Sequence, residues 1–358
     1  MRITIALALL SVFLCATPSF ACSAFSFVTG SECVVGKNYD WDIGFGLVIV
    51  NKRNVAKFST GEFAAQEPDF RPVQWTSRYG SVTFNQYGRE FPSGGINETG
   101  LVIELLWLDD TVYPAPDPRP VLGVLEWIQF QLDRSRTINE VITNAKRVRI
   151  VSPVNLHYFV CDRSGACATI EFLDGSLVTH SRATLPARVL TNDNYGDSLL
   201  KLKQYAGFGG NLPVPQGYES LNRFVRGASL LQQLPADPGV EDAFSILDSL
   251  AGGDYTKWRI VYETKSRKAQ FKSLAGKSVK FVDLNQLDFS CSTPVKVINL
   301  NTGKSGDVSR KMVNYTTRIN KDLVVKSFRN TPFLADLPDS VLERAYLHPE
   351  ETVCKDKH

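Results

Sequence analysis

The sequence predicts an α+β protein in which helices cover mainly antiparallel sheets. Three observations carry this expectation. Short alternating or apolar segments separated by turn residues recur along most of the chain. Helical periodicity concentrates after residue 120 and after residue 219, so the order reads strands, two helices, strands, two helices, strands. No βαβ fingerprint, internal repeat or composition shift is visible, so residues 22–358 read as one domain behind an N-terminal leader.

The leader is residues 1–21. Arg2 precedes a long apolar run ending in Ser19-Phe20-Ala21, which places small residues at −3 and −1 of a cut before Cys22. Cleavage between Ala21 and Cys22 would give one residue both a thiol and a free α-amine. That pairs a nucleophile with a base whose pKa is about 7.7–8.0. The plainer readings are a disulfide-bonded or lipid-bearing cysteine, although Ser19-Phe20-Ala21 fits a lipid signal poorly. No later apolar stretch is long enough to span a bilayer, so the mature chain is expected in the periplasm or secreted, with no integral membrane segment.

After the cut, CSAFSFV (22–28) and CVVGKNY (33–39) flank the turn Thr29-Gly30-Ser31-Glu32 and predict a hairpin. Alternation puts Cys22, Ala24 and Ser26 on one face and Ser23, Phe25 and Phe27 on the other. Strands follow at 46–51 and 80–86. Gly94–Gly100 reads as a glycine-rich turn into the apolar strand 101–108. The four prolines of 113–120 predict a surface loop. Behind them, Leu122, Leu125, Ile128 and Leu132 predict an amphipathic helix over 121–133. Thr137 with Glu140 is a capping box for a second helix, to about Arg147.

Residues 155–161 and 167–173 form the next hairpin. Cys161 and Cys167 flank its turn and suggest a disulfide, which an oxidising compartment permits. A strand at 187–192 ends in Thr191-Asn192. Residues 201–219 read as loop, 220–234 and 240–250 as helices, and 255–263 with 268–274 as a hairpin. The tail is irregular over 283–294, turns at 301–303, and holds one helical stretch at 339–346. Cys291 with Cys354 is a second candidate pair; Cys22 and Cys33 have no assigned partner.

Composition removes several classes. The formal net charge is +3 with no basic tract, which argues against a nucleic-acid partner. Seven cysteines, one of them in the leader, are too sparse for a disulfide scaffold of this length. Four scattered histidines, without HExxH or a His/Cys cluster, give no expected metal and no histidine-based catalytic pair. No cofactor motif appears.

An ordered series remains: Cys22-Ser23, Asn38-Tyr39-Asp40-Trp41, Gly95-Ile96-Asn97-Glu98-Thr99-Gly100-Leu101, Val189-Leu190-Thr191-Asn192, Asn222-Arg223-Phe224-Val225-Arg226 and Trp258-Arg259-Ile260-Val261-Tyr262. It resembles the choloylglycine hydrolase and penicillin V acylase family, from residue 22 to about 275. The resemblance implies a four-layer αββα sandwich of the N-terminal-nucleophile hydrolase type, no cofactor, and a homodimer or homotetramer. It also implies an exported cysteine amidase that cleaves a small N-acyl amide through a thioester. By the same resemblance Cys22 is the nucleophile and its α-amine the base. Asp40 holds that amine, Asn192 completes the oxyanion hole, and Arg223 is the later catalytic arginine.

Two positions depart from the family pattern. Lys37 stands where arginine precedes the aspartate by three residues, keeping the charge but losing the planar fork. Trp107 stands where Asn or Tyr offers a second oxyanion contact; it has one indole N–H to give, or it lines the pocket. Phe25, Phe27, Phe45, Trp41 and Trp107 are expected near the site, and an aromatic lining favours an apolar acyl group. The sequence leaves open penicillin V, a bile-acid conjugate, an acyl homoserine lactone or an N-acyl amino acid as substrate. An acyltransferase that passes the acyl group to an amine, and a non-catalytic binding protein, stand as alternatives.

Overall fold

The computed structural model describes residues 22–61 and 70–355; the expected leader, 1–21, lies outside them. Two large sheets form the centre. The first runs, strand beside strand, 189–190, 23–29, 32–40, 256–263, 268–273, 280–283 and 306–307. The second runs 176–181, 167–173, 156–161, 102–107, 92–97, 81–85, 47–51, 296–299 and 313–314. Neighbours in both are antiparallel except 280–283 with 306–307.

Among the described residues seven helices accompany them: α1 Val124–Arg134, α2 Ile138–Ala145, α3 Tyr195–Leu202, α4 Ser220–Gln232, α5 Val240–Ser249, α6 Thr317–Arg329 and α7 Asp339–Leu347. α4 and α5 pack on the first sheet, and α1 and α2 on the second. The inner faces meet through Phe84, whose ring stands edge-on to Tyr262 and Phe271 across the interface. The result is the four-layer αββα sandwich.

Alternation along 23–29 decides which residues meet which layer. Ser26 faces inward, 3.2 Å from Cys167 of the second sheet, whereas Ser23 reaches Arg223 on α4. Phe25 shares the Ser23 face, and its ring occupies the space a Cβ on Gly36 would need.

Several expectations shift. Gly94 and Gly95 lie inside the strand Pro92–Asn97, with the turn beginning only at Glu98. Glycine fits there because a Cβ on Gly94 would strike the Glu104 carboxylate and one on Gly95 the Val82 carbonyl. Asn97 closes the turn: its carbonyl oxygen accepts from Thr99 and Leu101, and its amide donates to Leu132 and Ser135 at the end of α1. The first helix starts at Val124 rather than 121, because Val121–Leu122 pairs with Arg149–Ile150. Thr137 caps α2 as expected, but Glu140 accepts from the Arg136 N–H, one residue beyond the N-cap N–H that the reciprocal bond would use. α3 and α6 fall on stretches for which the sequence predicts no helix. Cys161 pairs with Cys167 and Cys291 with Cys354; Cys22 and Cys33 are buried, unpaired thiols.

The crowding at Gly95 gives a test of this packing. Gly95→Ala would put its Cβ 2.5 Å from a backbone oxygen that cannot rotate away. Urea unfolding should show a loss of about 2 kcal/mol, and an unchanged midpoint would contradict the packing.

Candidate active site

Cys22 enters the first sheet at the open end of its strand, 2% exposed. Its Sγ lies 3.7 Å from the Asp40 carbonyl oxygen, because the hairpin turn brings the end of one strand back beside the start of the other. Burial pushes the thiol pKa up, Lys37 and Arg223 pull it down, and Asp40 adds to the rise. A thiol in this setting keeps its proton near neutrality and needs a base to become a nucleophile.

Arg223 is the hub. It projects from the first turn of α4, fully buried, and satisfies four acceptors. Its guanidinium donates to the Cys22 carbonyl at 2.5 Å, the Ser23 hydroxyl at 2.7 Å, the Tyr218 carbonyl at 2.8 Å and Asn192 Oδ1 at 2.9 Å. That last bond fixes the amide of Asn192, so its nitrogen faces the other way. There it donates to the Trp107 carbonyl at 2.8 Å, which leaves a second N–H on the same nitrogen. Ser220, also from the first turn of α4, accepts the Asn192 backbone N–H.

Asp40 is buried at the end of its strand, opposite Thr256. Neither carboxylate oxygen makes a hydrogen bond of ordinary geometry, although Thr256 stands close enough to pull the pKa down. Burial outweighs that pull and those of Arg223, Lys37 and Arg259, and raises the carboxyl to about 6.

Lys37 is fully buried between the sheets and donates to the Leu105 carbonyl. On the facing strand Glu104, raised to about 7 by burial and drawn down by Lys37, accepts from Tyr262. Glu104 went unread in the sequence, though one acid inside the apolar run VIELLW was a visible signal.

Cys22 opens onto a cavity of about 1330 Å³, counting its mouth, with almost wholly apolar walls. Trp41 and Trp107 line it with ring centroids 6.1 Å apart. The Trp107 indole N–H goes to Asp109 at 2.6 Å, so the residue contributes wall and a backbone carbonyl for Asn192 and does not aim its N–H at the thiol. Phe25 does not line the cavity; it faces the helix layer, as does Phe27. Phe45 is also absent from the lining and packs under Lys326. Tyr87, outside the sequence reading, does line it, and accepts from the Trp41 indole at 2.7 Å. The one group of three metal-capable side chains among the described residues is Cys33, Cys161 and Cys167, and two of its sulfurs are joined.

Asp40 yields a prediction whose sign follows from its raised pKa. A carboxyl raised from 3.8 to about 6 binds its proton more tightly folded than unfolded, so stability falls as pH rises through that interval. In a chain whose residue-22 nitrogen stays in a peptide bond, stability relative to Asp40→Asn should drop by roughly 3 kcal/mol across the interval. Parallel pH profiles of the two chains in urea unfolding would contradict the assignment.

The chain is similar to known proteins over most of its length. A penicillin V acylase from Pectobacterium atrosepticum is 27% identical over an alignment 335 positions long that covers 80% of this chain and 86% of that protein. The structure of penicillin V acylase from Agrobacterium tumefaciens superposes with a TM-score of 0.71 at 26% identity, covering 82% of this chain and 98% of that one. A conjugated bile acid hydrolase from Clostridium perfringens, at 16% identity and a TM-score of 0.66, covers 82% of this chain and 97% of its own and shares the fold. Residues 22–297 match the family described as linear amide C–N hydrolases, choloylglycine hydrolase family. A cysteine-nucleophile enzyme therefore replaces the non-catalytic alternative, and the chain belongs to the choloylglycine hydrolase family of linear amide C–N hydrolases.

Proposed function

We propose that this enzyme is exported, loses residues 1–21, and works as one domain over 22–358 on a small N-acyl amide whose acyl group is apolar. The observation that carries this reading is a buried, unpaired thiol at residue 22 that opens into a large apolar cavity.

In this reading the α-amine freed on Cys22 takes the thiol proton, and Sγ attacks the amide carbonyl. Asp40, otherwise a buried carboxylate without an ordinary hydrogen bond, holds the amine in place once it is protonated. The second N–H of Asn192 bonds the developing oxyanion. Arg223 fixes the orientation of Asn192 and the carbonyl of Cys22, which makes it a positioning residue here. The C–N bond breaks, the leaving nitrogen takes the proton from the ammonium, and a thioester remains. Water then attacks, giving its proton to the amine, and the acid departs as the proton returns to sulfur. Lys37 adds positive charge beside the thiol.

The apolar walls favour aryl or fatty acyl groups over polar ones. The two penicillin V acylases among the relatives make penicillin V the first compound to try. A panel of N-acyl amides, varied first in acyl group and then in amine, tests the reading. Cys22→Ala should abolish hydrolysis of every active member while thermal unfolding stays within a few degrees. Activity that survives Cys22→Ala would refute the nucleophile.

A further inference from the structure

The family match ends at residue 297, yet much of the cavity wall comes from beyond it. Phe328 of α6, Phe333, Leu334 and Leu337 of the following loop, and Val341 and Ala345 of α7 all line the space onto which Cys22 opens. The segment also reaches the site's aromatic residues. Phe333 stands edge-on to Trp41 at 6.2 Å, and Phe328 edge-on to Tyr87 at 5.4 Å. The Thr331 hydroxyl is 2.9 Å from that of Tyr87, which in turn holds the Trp41 indole.

This wall is fastened at several points. Leu323 packs with Leu47, Ile49 and Val297 on the second sheet. Asn320 accepts from the Arg89 N–H and donates to the Tyr346 carbonyl, which ties α6 to both the sheet and α7. Val353–Cys354 pairs with Val55–Ala56, and Cys354 is bonded to Cys291. A tail held at both ends keeps its shape as a ligand enters.

We propose that residues 328–345 form the outer wall of the acyl site and set the longest acyl group the enzyme accepts. This rests on the amidase reading above. An apolar acyl chain attached at Cys22 shares its cavity with Trp41, with Phe333 edge-on to it, and with Leu337 and Val341. Bulk added on α7 shortens the space without touching Cys22, Asp40, Asn192 or Arg223.

The test is kcat/KM for p-nitroanilides of straight-chain acids from butanoyl to tetradecanoyl, with wild type, Val341→Phe and Val341→Ile. Val341→Phe should lower the ratio of longest-chain to shortest-chain kcat/KM by about tenfold, and Val341→Ile should keep the wild-type ratio. Taking a ratio cancels any loss of folded enzyme. An unchanged ratio in Val341→Phe overturns the proposal and leaves the amidase reading intact. If wild type cleaves none of these anilides, the amidase reading fails for this amine and dodecanoate binding decides about the wall. Quenching of tryptophan fluorescence by dodecanoate in wild type that weakens about tenfold in Val341→Phe supports the wall; equal quenching, or none, overturns it.

Discussion

One buried guanidinium holds the site together. Arg223 joins the carbonyl of the nucleophilic residue, the hydroxyl of its neighbour, the loop before α4 and the amide of Asn192. These groups come from three separated stretches of chain, and the Cys22 carbonyl and Ser23 hydroxyl are buried acceptors that would otherwise lack this partner. An arginine side chain meets all four because its donors are spread around a rigid plane; a lysine would offer a single point. One of the four bonds orients Asn192 and another holds the Cys22 carbonyl, so a single side chain places both residues.

The second constraint is charge in a dry place. Lys37, Asp40, Glu104 and Arg223 are all fully or almost fully buried within reach of Cys22 or of one another. Ionised groups there are costly, and the raised carboxyls of Asp40 and Glu104 register that cost. Such an arrangement suits a reaction in which charge appears on an amine and an oxyanion. The groups that meet it are already in position, so little has to reorganise during the reaction. Lys37 shows how the chain departs from a planar arginine at this point: it makes a backbone contact to Leu105 and faces Glu104.

Much of this was legible in the sequence because it is local. The hairpin from Cys22, the cap at Thr137 and the pairing of Cys161 with Cys167 follow from alternation, turn chemistry and short separation. Cys22, Asp40, Asn192 and Arg223 were named through an ordered resemblance, and the fold brings them together. What stayed hidden depends on distant partners. Gly94 and Gly95 looked like a turn because their reason for being glycine, Glu104 and Val82, sits on other strands. Phe25 is a different case: alternation along 22–28 already put it on the face opposite Cys22, the helix side, and closeness in sequence alone made it a candidate for the site. α6 carries few apolar residues and reads weakly alone; its stability comes from Leu323 docking on the second sheet and Val324 against Gly88 in the adjoining loop.

In the proposed reaction Cys22 serves as nucleophile and base only after the chain is cut before it. The most direct measurement compares turnover by the chain beginning at Cys22 with turnover by the same chain carrying an uncleaved Ala21, on one amide substrate. The fold and thiol are shared, and only the free amine differs. Turnover should fall by about two to four orders of magnitude when Ala21 is retained. Equal turnover by the two chains would show that the α-amine has no part in the chemistry.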